Sequence, residues 1–159
     1  YQTSEGYGMK LAEALQERAD LNRKIEQLQD RLSNNVLVQE GEQTAEDPEK
    51  LKDELDSAIL RLAALIAQIN QTNCTTIVEG RTLTALIARK DALSLKIRLY
   101  KEIASTASQT TYRARNTEIK IKSTISVADW QAEIDQMSKE LRLLDNQLQQ
   151  SNWNTDLIE

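Results

Sequence analysis

Apolar residues recur at a spacing of three and four along four long stretches of the chain. This period predicts four amphipathic α-helices, at about residues 10–32, 48–71 and 82–107 and from Ser126 onward. Short phrases of small polar residues follow three of these stretches and are expected to close the helices, because such side chains bond the nearby backbone. The phrases are Ser33-Asn34-Asn35, Thr72-Asn73-Cys74-Thr75-Thr76 and Ser151-Asn152-Trp153-Asn154-Thr155.

The second and third predicted helices are apolar on more than one face. Between Ala58 and Ile69 only Arg61 and Gln68 are polar, so the second helix is expected to be buried nearly all round. The third helix has two apolar seams and should pack on two sides. The first seam is Leu86, Leu93, Ile97, Tyr100 and Ala104, and the second is Ala88, Ala92, Leu95, Leu99 and Ile103. Both helices should therefore lie centrally or face another subunit.

Two helix starts carry local signals. Asp47 precedes Pro48, which suits an N-cap followed by a proline at the first helical position. Ser126, with Asp129 three residues later, is close to a capping box. The fourth helix then carries one regular heptad seam: Val127, Trp130, Ile134, Met137, Leu141, Leu144 and Leu148.

The period changes from about 3.6 to 2 between Thr110 and Ile125. A turn at Asn116-Thr117 would pair the flanking residues so that all apolar side chains share one face, which predicts a β-hairpin at about 111–122. A single long strand is the alternative. Val36-Leu37-Val38 is a second, shorter strand candidate.

These elements predict a mainly α protein, an antiparallel long-helix bundle or coiled coil of about four helices with a small β-hairpin at one end. Residues 9–159 are expected to form one domain. Residues 1–8 precede a methionine that opens a helix, and we interpret them as a tag or non-native leader.

Composition argues against an enzyme. The chain has no histidine, the commonest general base and transition-metal ligand, and it has a single cysteine, Cys74. Cys74 would lack a base to activate it, so no catalytic residue, cofactor or metal is predicted. A lone thiol without a secretory leader favours the cytoplasm. No apolar run is long enough to span a membrane.

Charge is distributed unevenly along the chain, whose net charge is −5. Residues 39–56 are strongly acidic, whereas residues 81–122 hold ten basic and three acidic residues. The basic segment could bind nucleic acid or phosphate, or it could pair with acidic residues of its own chain or of another subunit. We favour the second interpretation, so nucleic acid is an unlikely partner. The possible binding or interface residues are Arg113, Arg115, Lys120, Lys122 and Trp153.

Several phrases resemble a small family of uncharacterised bacterial proteins, some of which carry the label septicolysin. They are Met9-Lys10-Leu11-Ala12-Glu13-Ala14-Leu15, Glu17-Arg18-Ala19-Asp20-Leu21, Thr72-Asn73, Gly80-Arg81-Thr82-Leu83-Thr84 and Ser151-Asn152-Trp153-Asn154-Thr155-Asp156-Leu157. The resemblance covers the chain from Met9 to the end. It implies an all-helical cytosolic protein of unknown role, and the label implies pore formation, although no catalytic residues are implied.

Taken together, the sequence predicts a non-enzymatic, self-associating helical scaffold or binding protein. A nucleic-acid- or phosphate-associated protein that uses residues 81–122 is the first alternative. A membrane-active cytolysin is the second.

Overall fold

A computed structural model describes residues 8–110 and 119–159. In these ranges the chain forms four helices and two short strands, which confirms the prediction of a mainly α fold with a small hairpin. In chain order they are α1 (Leu11–Ser33), α2 (Pro48–Thr75), β1 (Ile77–Val78), β2 (Arg81–Thr82), α3 (Leu83–Ala107) and α4 (Val127–Asn154).

The predicted helix starts are confirmed. A side-chain oxygen of Asp47 accepts the backbone N–H of Glu49 at 3.0 Å, with Pro48 in the first turn. The Ser126 hydroxyl accepts the backbone N–H of Asp129 at 3.3 Å. Each contact satisfies a donor that the first turn of a helix cannot pair internally.

Two predicted helix ends are wrong by about one turn. α2 continues through the Thr72 phrase to Thr75, and α4 continues through Ser151 to Asn154. The hydroxyls of Thr72 and Thr75 donate to the carbonyls of Gln68 and Gln71, four residues earlier, at 2.7 and 2.9 Å. These side chains therefore bond back onto the helix, a geometry that the last turn accommodates, instead of ending it.

The chain divides into two compact units, and the first contains residues 1–78 and 151–159. Here α1 and α2 pack as an antiparallel pair, and Leu11, Leu28, Leu65 and Ile69 are almost completely buried. The guanidinium of Arg61 donates to both carboxylate oxygens of Glu17 at 2.7 and 2.9 Å, which fixes the register of the pair.

Residues 155–158 form a strap across this unit. The N–H of Leu11 donates to the carbonyl of Thr155, and the N–H of Leu157 donates to the carbonyl of Met9, both at 2.8 Å. The N–H of Ile158 donates to the Thr72 hydroxyl at 3.0 Å. The strap thus joins the start of α1 to the end of α2, and the Leu157 side chain is buried there.

The second unit contains residues 79–150. Here α3 and α4 pack as an antiparallel pair around the buried residues Ile97, Ala104, Ile134 and Met137. The rings of Tyr100 and Trp130 stack at a centroid distance of 4.8 Å. The heptad seam predicted on α4 is confirmed, because all its members are buried or half-buried.

A tight hairpin connects α2 to α3. Strands β1 and β2 pair across Glu79 and Gly80, whose φ angles are 49° and 81°. Two successive positive φ values identify the type I′ turn that suits a two-residue hairpin, and glycine adopts this conformation without strain.

Of the other two strand predictions, one is wrong and one lies largely outside the described residues. Val36-Leu37-Val38 forms no strand and is exposed, because no neighbouring strand accepts its backbone among the described residues. Of the hairpin predicted at about 111–122, residues 111–118, with Arg113 and Arg115, lie outside the described residues. Ile119 and Ile121 are exposed. The single-domain organisation of residues 9–159 stays a prediction.

Candidate interaction surface

The expectation that α2 is buried nearly all round is wrong within its own unit. Its inner face, with Leu51, Ala58, Leu65 and Ile69, packs against α1. Its outer face is exposed, because α1 covers only one side of the helix. The exposed apolar residues of that face are Ile59, Leu60, Ala63, Ile66 and Ala67.

The two apolar seams of α3 differ in burial. The first seam faces α4 and is buried or half-buried, as predicted. The second seam is not packed within the unit. Leu95, Leu99 and Ile103 are 47%, 42% and 44% exposed, and Ala88 and Ala92 are exposed as well. The sequence identified these residues correctly as a seam but could not show that nothing in the unit covers them.

This seam, Ala88, Ala92, Leu95, Leu99 and Ile103, is called the α3 stripe below. At 3.6 residues per turn its members lie within about 80° of the helix circumference and extend over about 23 Å. Its width matches that of a coiled-coil seam. Single exposed apolar residues are ordinary on protein surfaces, whereas a continuous row of this length is typical of an interface.

One edge of the stripe carries both signs of charge. Asp91 and Arg98 lie on this edge, two turns apart, together with Glu102. The Arg98 guanidinium is 3.8 Å from the Glu102 carboxylate. No ion pair involves Asp91 in the described part of the chain, and both Asp91 and Arg98 are exposed.

The other edge of the stripe is basic. Arg89 donates to Glu140 on α4 at 3.3 Å, and the Lys96 ammonium lies 5.3 Å from the centre of the Tyr100 ring. Both cations therefore have partners within their own unit, and a lysine over an aromatic face is a favourable arrangement.

Two cations of the predicted basic segment are neutralised by α4. Arg89 pairs with Glu140, and Lys90 Nζ lies 2.6 Å from Asp145. Both partners are acidic residues of the same chain, as the favoured interpretation of the basic segment expected. In the acidic segment 39–56, Glu46 accepts two hydrogen bonds from Arg31 at the end of α1. Lys120 and Lys122 are exposed and make no ion pair with any residue of the described ranges.

A groove of about 510 Å³ lies between the end of α3 and the segment that precedes α4. Ile103, Ala107, Ile121 and Ile125 supply its apolar lining, and Lys122 lies at its border. Since Ile103 also belongs to the α3 stripe, the apolar surface extends from the helix into this groove.

Trp153, the remaining predicted interface residue, lies in the last turn of α4 and is 53% exposed. The sequence placed Trp153 in a phrase that was expected to close the helix. Because α4 continues to Asn154, the indole is held on the helix surface, and half of it meets solvent.

Two bidentate ion pairs shift the pKa values of their members. Hydrogen bonds from Arg61 lower the pKa of Glu17, and those from Arg31 lower the pKa of Glu46. The pKa values of both arginines are raised by the same hydrogen bonds. All four groups belong to the first unit, so these pairs stabilise the α1–α2 hairpin and lie outside the α3 stripe.

Residues 8–110 and 119–159 hold no group of three or more histidine, cysteine, aspartate or glutamate side chains arranged to bind a metal ion. Within the same ranges, no helix has the length and apolar character needed to cross a membrane.

Comparison with known proteins gives two matches. Residues 18–157 match the model of a family described as "Family of unknown function (DUF6847)". The chain is also similar to a solved structure described as a functionally unknown conserved protein from Corynebacterium diphtheriae, with 36% sequence identity and a TM-score of 0.88. That alignment covers 95% of this chain and 99% of the other. No curated protein matches the chain. Neither match refers to septicolysin.

Proposed function

Because the chain belongs to the Family of unknown function (DUF6847), whose description names no activity, we propose a role from its surface. We propose that the protein is a non-enzymatic helical scaffold that associates with copies of itself.

The observation that carries this proposal is the uncovered apolar surface on α3. Leu95, Leu99 and Ile103 expose between 42% and 47% of their surface in one continuous row. Burial of apolar area contributes about 25 cal/mol per Å². A second copy that covers this row would therefore stabilise the complex by burying apolar area that the isolated unit exposes to water.

The charge distribution supports protein association over nucleic-acid binding. Arg89 and Lys90, near the start of the basic segment, already pair with Glu140 and Asp145. Binding to a phosphate backbone would have to break these pairs. The remaining exposed cations of the described segment are dispersed, and the whole chain carries a net charge of −5.

The test is the mass of the protein in solution, measured by light scattering at micromolar concentration. We expect a multiple of 18.1 kDa for the unsubstituted chain. Leu99→Glu should shift the protein to the monomer, because an unpaired carboxylate in an apolar interface costs several kcal/mol. Lys101→Glu, an exposed change on the same helix outside the stripe, should leave the mass unchanged.

A monomer for the unsubstituted chain at these concentrations would refute self-association. The two alternatives have their own readouts in the same preparation. Retention of a nucleic-acid duplex with a steep salt dependence would favour the basic segment. Release of dye from liposomes would favour the membrane-active role that the septicolysin resemblance implies.

A further inference from the structure

We infer that the α3 stripe pairs with the α3 stripe of a second copy, antiparallel, about a two-fold axis near Leu95. This inference rests on the proposed self-association and specifies its geometry. Three features of the stripe support it: the order of its side-chain sizes, the charges of one edge, and the contrast with the exposed face of α2.

The first feature is the order of large and small residues. The stripe begins with Ala88 and Ala92 and ends with Leu99 and Ile103, with Leu95 in the middle. When the helix is turned end for end, Ala88 faces Ile103 of the second copy and Ala92 faces its Leu99. Small residues then lie opposite large ones in every outer layer, which is the arrangement that fills the space between two helices without voids.

The second feature is charge. In a two-fold antiparallel pair each edge of a helix faces the same edge of its partner. Asp91 and Arg98 occupy one edge, so Asp91 of each copy would lie near Arg98 of the other, and the contact would occur twice. Asp91 makes no ion pair in the described part of the chain, and Arg98 reaches Glu102 only at 3.8 Å. Both groups are thus available to a partner.

The third feature is the contrast with α2, whose outer face is also apolar. Of the exposed charged residues beside that face, Asp56 already pairs with Lys52 at 2.9 Å. The nearest arginine, Arg61, is bound by Glu17. Lys52 and Arg61 are thus both paired within their own unit, and unlike Asp91 on α3 they offer no free charge to a second copy. We therefore assign the self-pairing surface to α3.

A cross-linking experiment tests the geometry directly. In a Cys74→Ser background, Leu95→Cys should form a disulfide-linked dimer under mild oxidation, because residues near a two-fold axis approach within disulfide range. A mixture of an Ala88→Cys chain with an Ile103→Cys chain should give mainly the mixed dimer. Lys101→Cys, off the stripe, is the control and should remain monomeric on a non-reducing gel.

Charge reversal tests the edge assignment. Asp91→Arg and Arg98→Asp should each weaken dimerisation at least about tenfold, since each change places two like-charge contacts in the interface. The double variant should recover most of the affinity, because the pairs are restored with opposite sign. Lys96→Gln should strengthen dimerisation, since the two copies of Lys96 approach each other near the axis. Circular dichroism confirms that each variant remains folded.

The outcomes separate the inference from the proposed function. A monomeric unsubstituted chain refutes both. An oligomer in which Leu95→Cys fails to cross-link, or in which the Asp91 and Arg98 changes have no effect, refutes the pairing and leaves self-association standing. Homodimers from both Ala88→Cys and Ile103→Cys, without the mixed species, would indicate a parallel pair. Loss of the oligomer on Ile66→Glu alone would assign the interface to α2.

Discussion

At the scale of single residues, two neighbours on α2 differ sharply in burial. Leu65 is fully buried against α1, whereas Ile66 is 38% exposed. The sequence places both in the same apolar run and treats them alike. The distinction arises from the direction in which each side chain leaves the helix, and this depends on where α1 packs.

Leu65→Asp should therefore unfold the first unit, while Ile66→Asp should be tolerated. A carboxylate at the buried position costs several kcal/mol, comparable to the stability of a whole domain. At the exposed position the cost should be below about 1 kcal/mol. Thermal unfolding followed by circular dichroism compares the two variants, and equal losses would show that the outer face of α2 is also buried.

The Glu17–Arg61 pair gives a prediction in pH. Since hydrogen bonds from Arg61 lower the pKa of Glu17 in the folded protein, the pair stabilises the fold above the ordinary pKa of a glutamate and loses this effect as the pH falls through the lowered value. Glu17→Gln should reduce stability by about 0.5–1 kcal/mol at neutral pH. The difference from the unsubstituted chain should shrink below about pH 4 and vanish when Glu17 is protonated. Denaturant melts across this range measure it, and a difference that persists in strong acid would contradict the assignment.

At the scale of elements, local signals proved sufficient for helix starts and insufficient for helix ends. Asp47 and Ser126 bond their own first turns, so the sequence alone locates them. A threonine in this position can end the helix or donate its hydroxyl to the carbonyl four residues earlier. The Thr72 hydroxyl donates to the Gln68 carbonyl, and the helix continues. The same hydroxyl accepts the backbone N–H of Ile158, which is more than eighty residues away. No local sequence pattern reveals such a contact.

Thr72→Val should consequently cost more than Thr75→Val. Valine preserves the shape of threonine but removes the acceptor for the Ile158 N–H, and an unsatisfied buried donor costs about 1–3 kcal/mol. Thr75 only donates to α2 carbonyls and is exposed, so its change should cost less than about 0.5 kcal/mol. Urea titration of both variants provides the comparison. Equal midpoints would show that the strap contributes no stability through this bond.

The candidate site was recognised from sequence only in part. The α3 stripe is visible as a period, but the pattern cannot tell a seam that packs inside a unit from one left for a partner. The proposed pairing of Asp91 with Arg98 of a second copy could not be recognised either. It depends on both residues lying beside an apolar stripe that is exposed, and the sequence does not show that exposure. Arg89 and Lys90 looked equally available, yet α4 neutralises both.

At the scale of the whole molecule, each unit contains one tryptophan. Trp130 stacks on Tyr100 in the second unit. Trp153 belongs to the first unit, because the last turn of α4, from Ser151 to Asn154, is part of that unit. In a Trp153→Phe chain fluorescence reports on the second unit alone, and in a Trp130→Phe chain it reports on the first. The two probes can therefore follow each unit separately during unfolding.

Leu157→Asp should destabilise the first unit selectively, because Leu157 is buried in the strap. We expect the Trp153 signal to melt several degrees earlier, while the Trp130 signal changes little. Leu143→Asp, an exposed position on α4, is the control and should shift neither signal. Equal displacement of both signals by Leu157→Asp would show that the units unfold as one cooperative body.

The strap also has a consequence for the order in which the molecule is made. The first unit is assembled from residues 1–78 and 151–159, so its closing segment leaves the ribosome only after the whole of the second unit. The α3–α4 hairpin, whose contacts are close in sequence, can fold while α1 and α2 still wait for Thr155–Ile158. During that interval the end of α2 and the start of α1 expose surfaces that the strap will cover. We therefore expect the nascent chain to be most prone to aggregation in its α1–α2 segment, until residues 155–158 are translated.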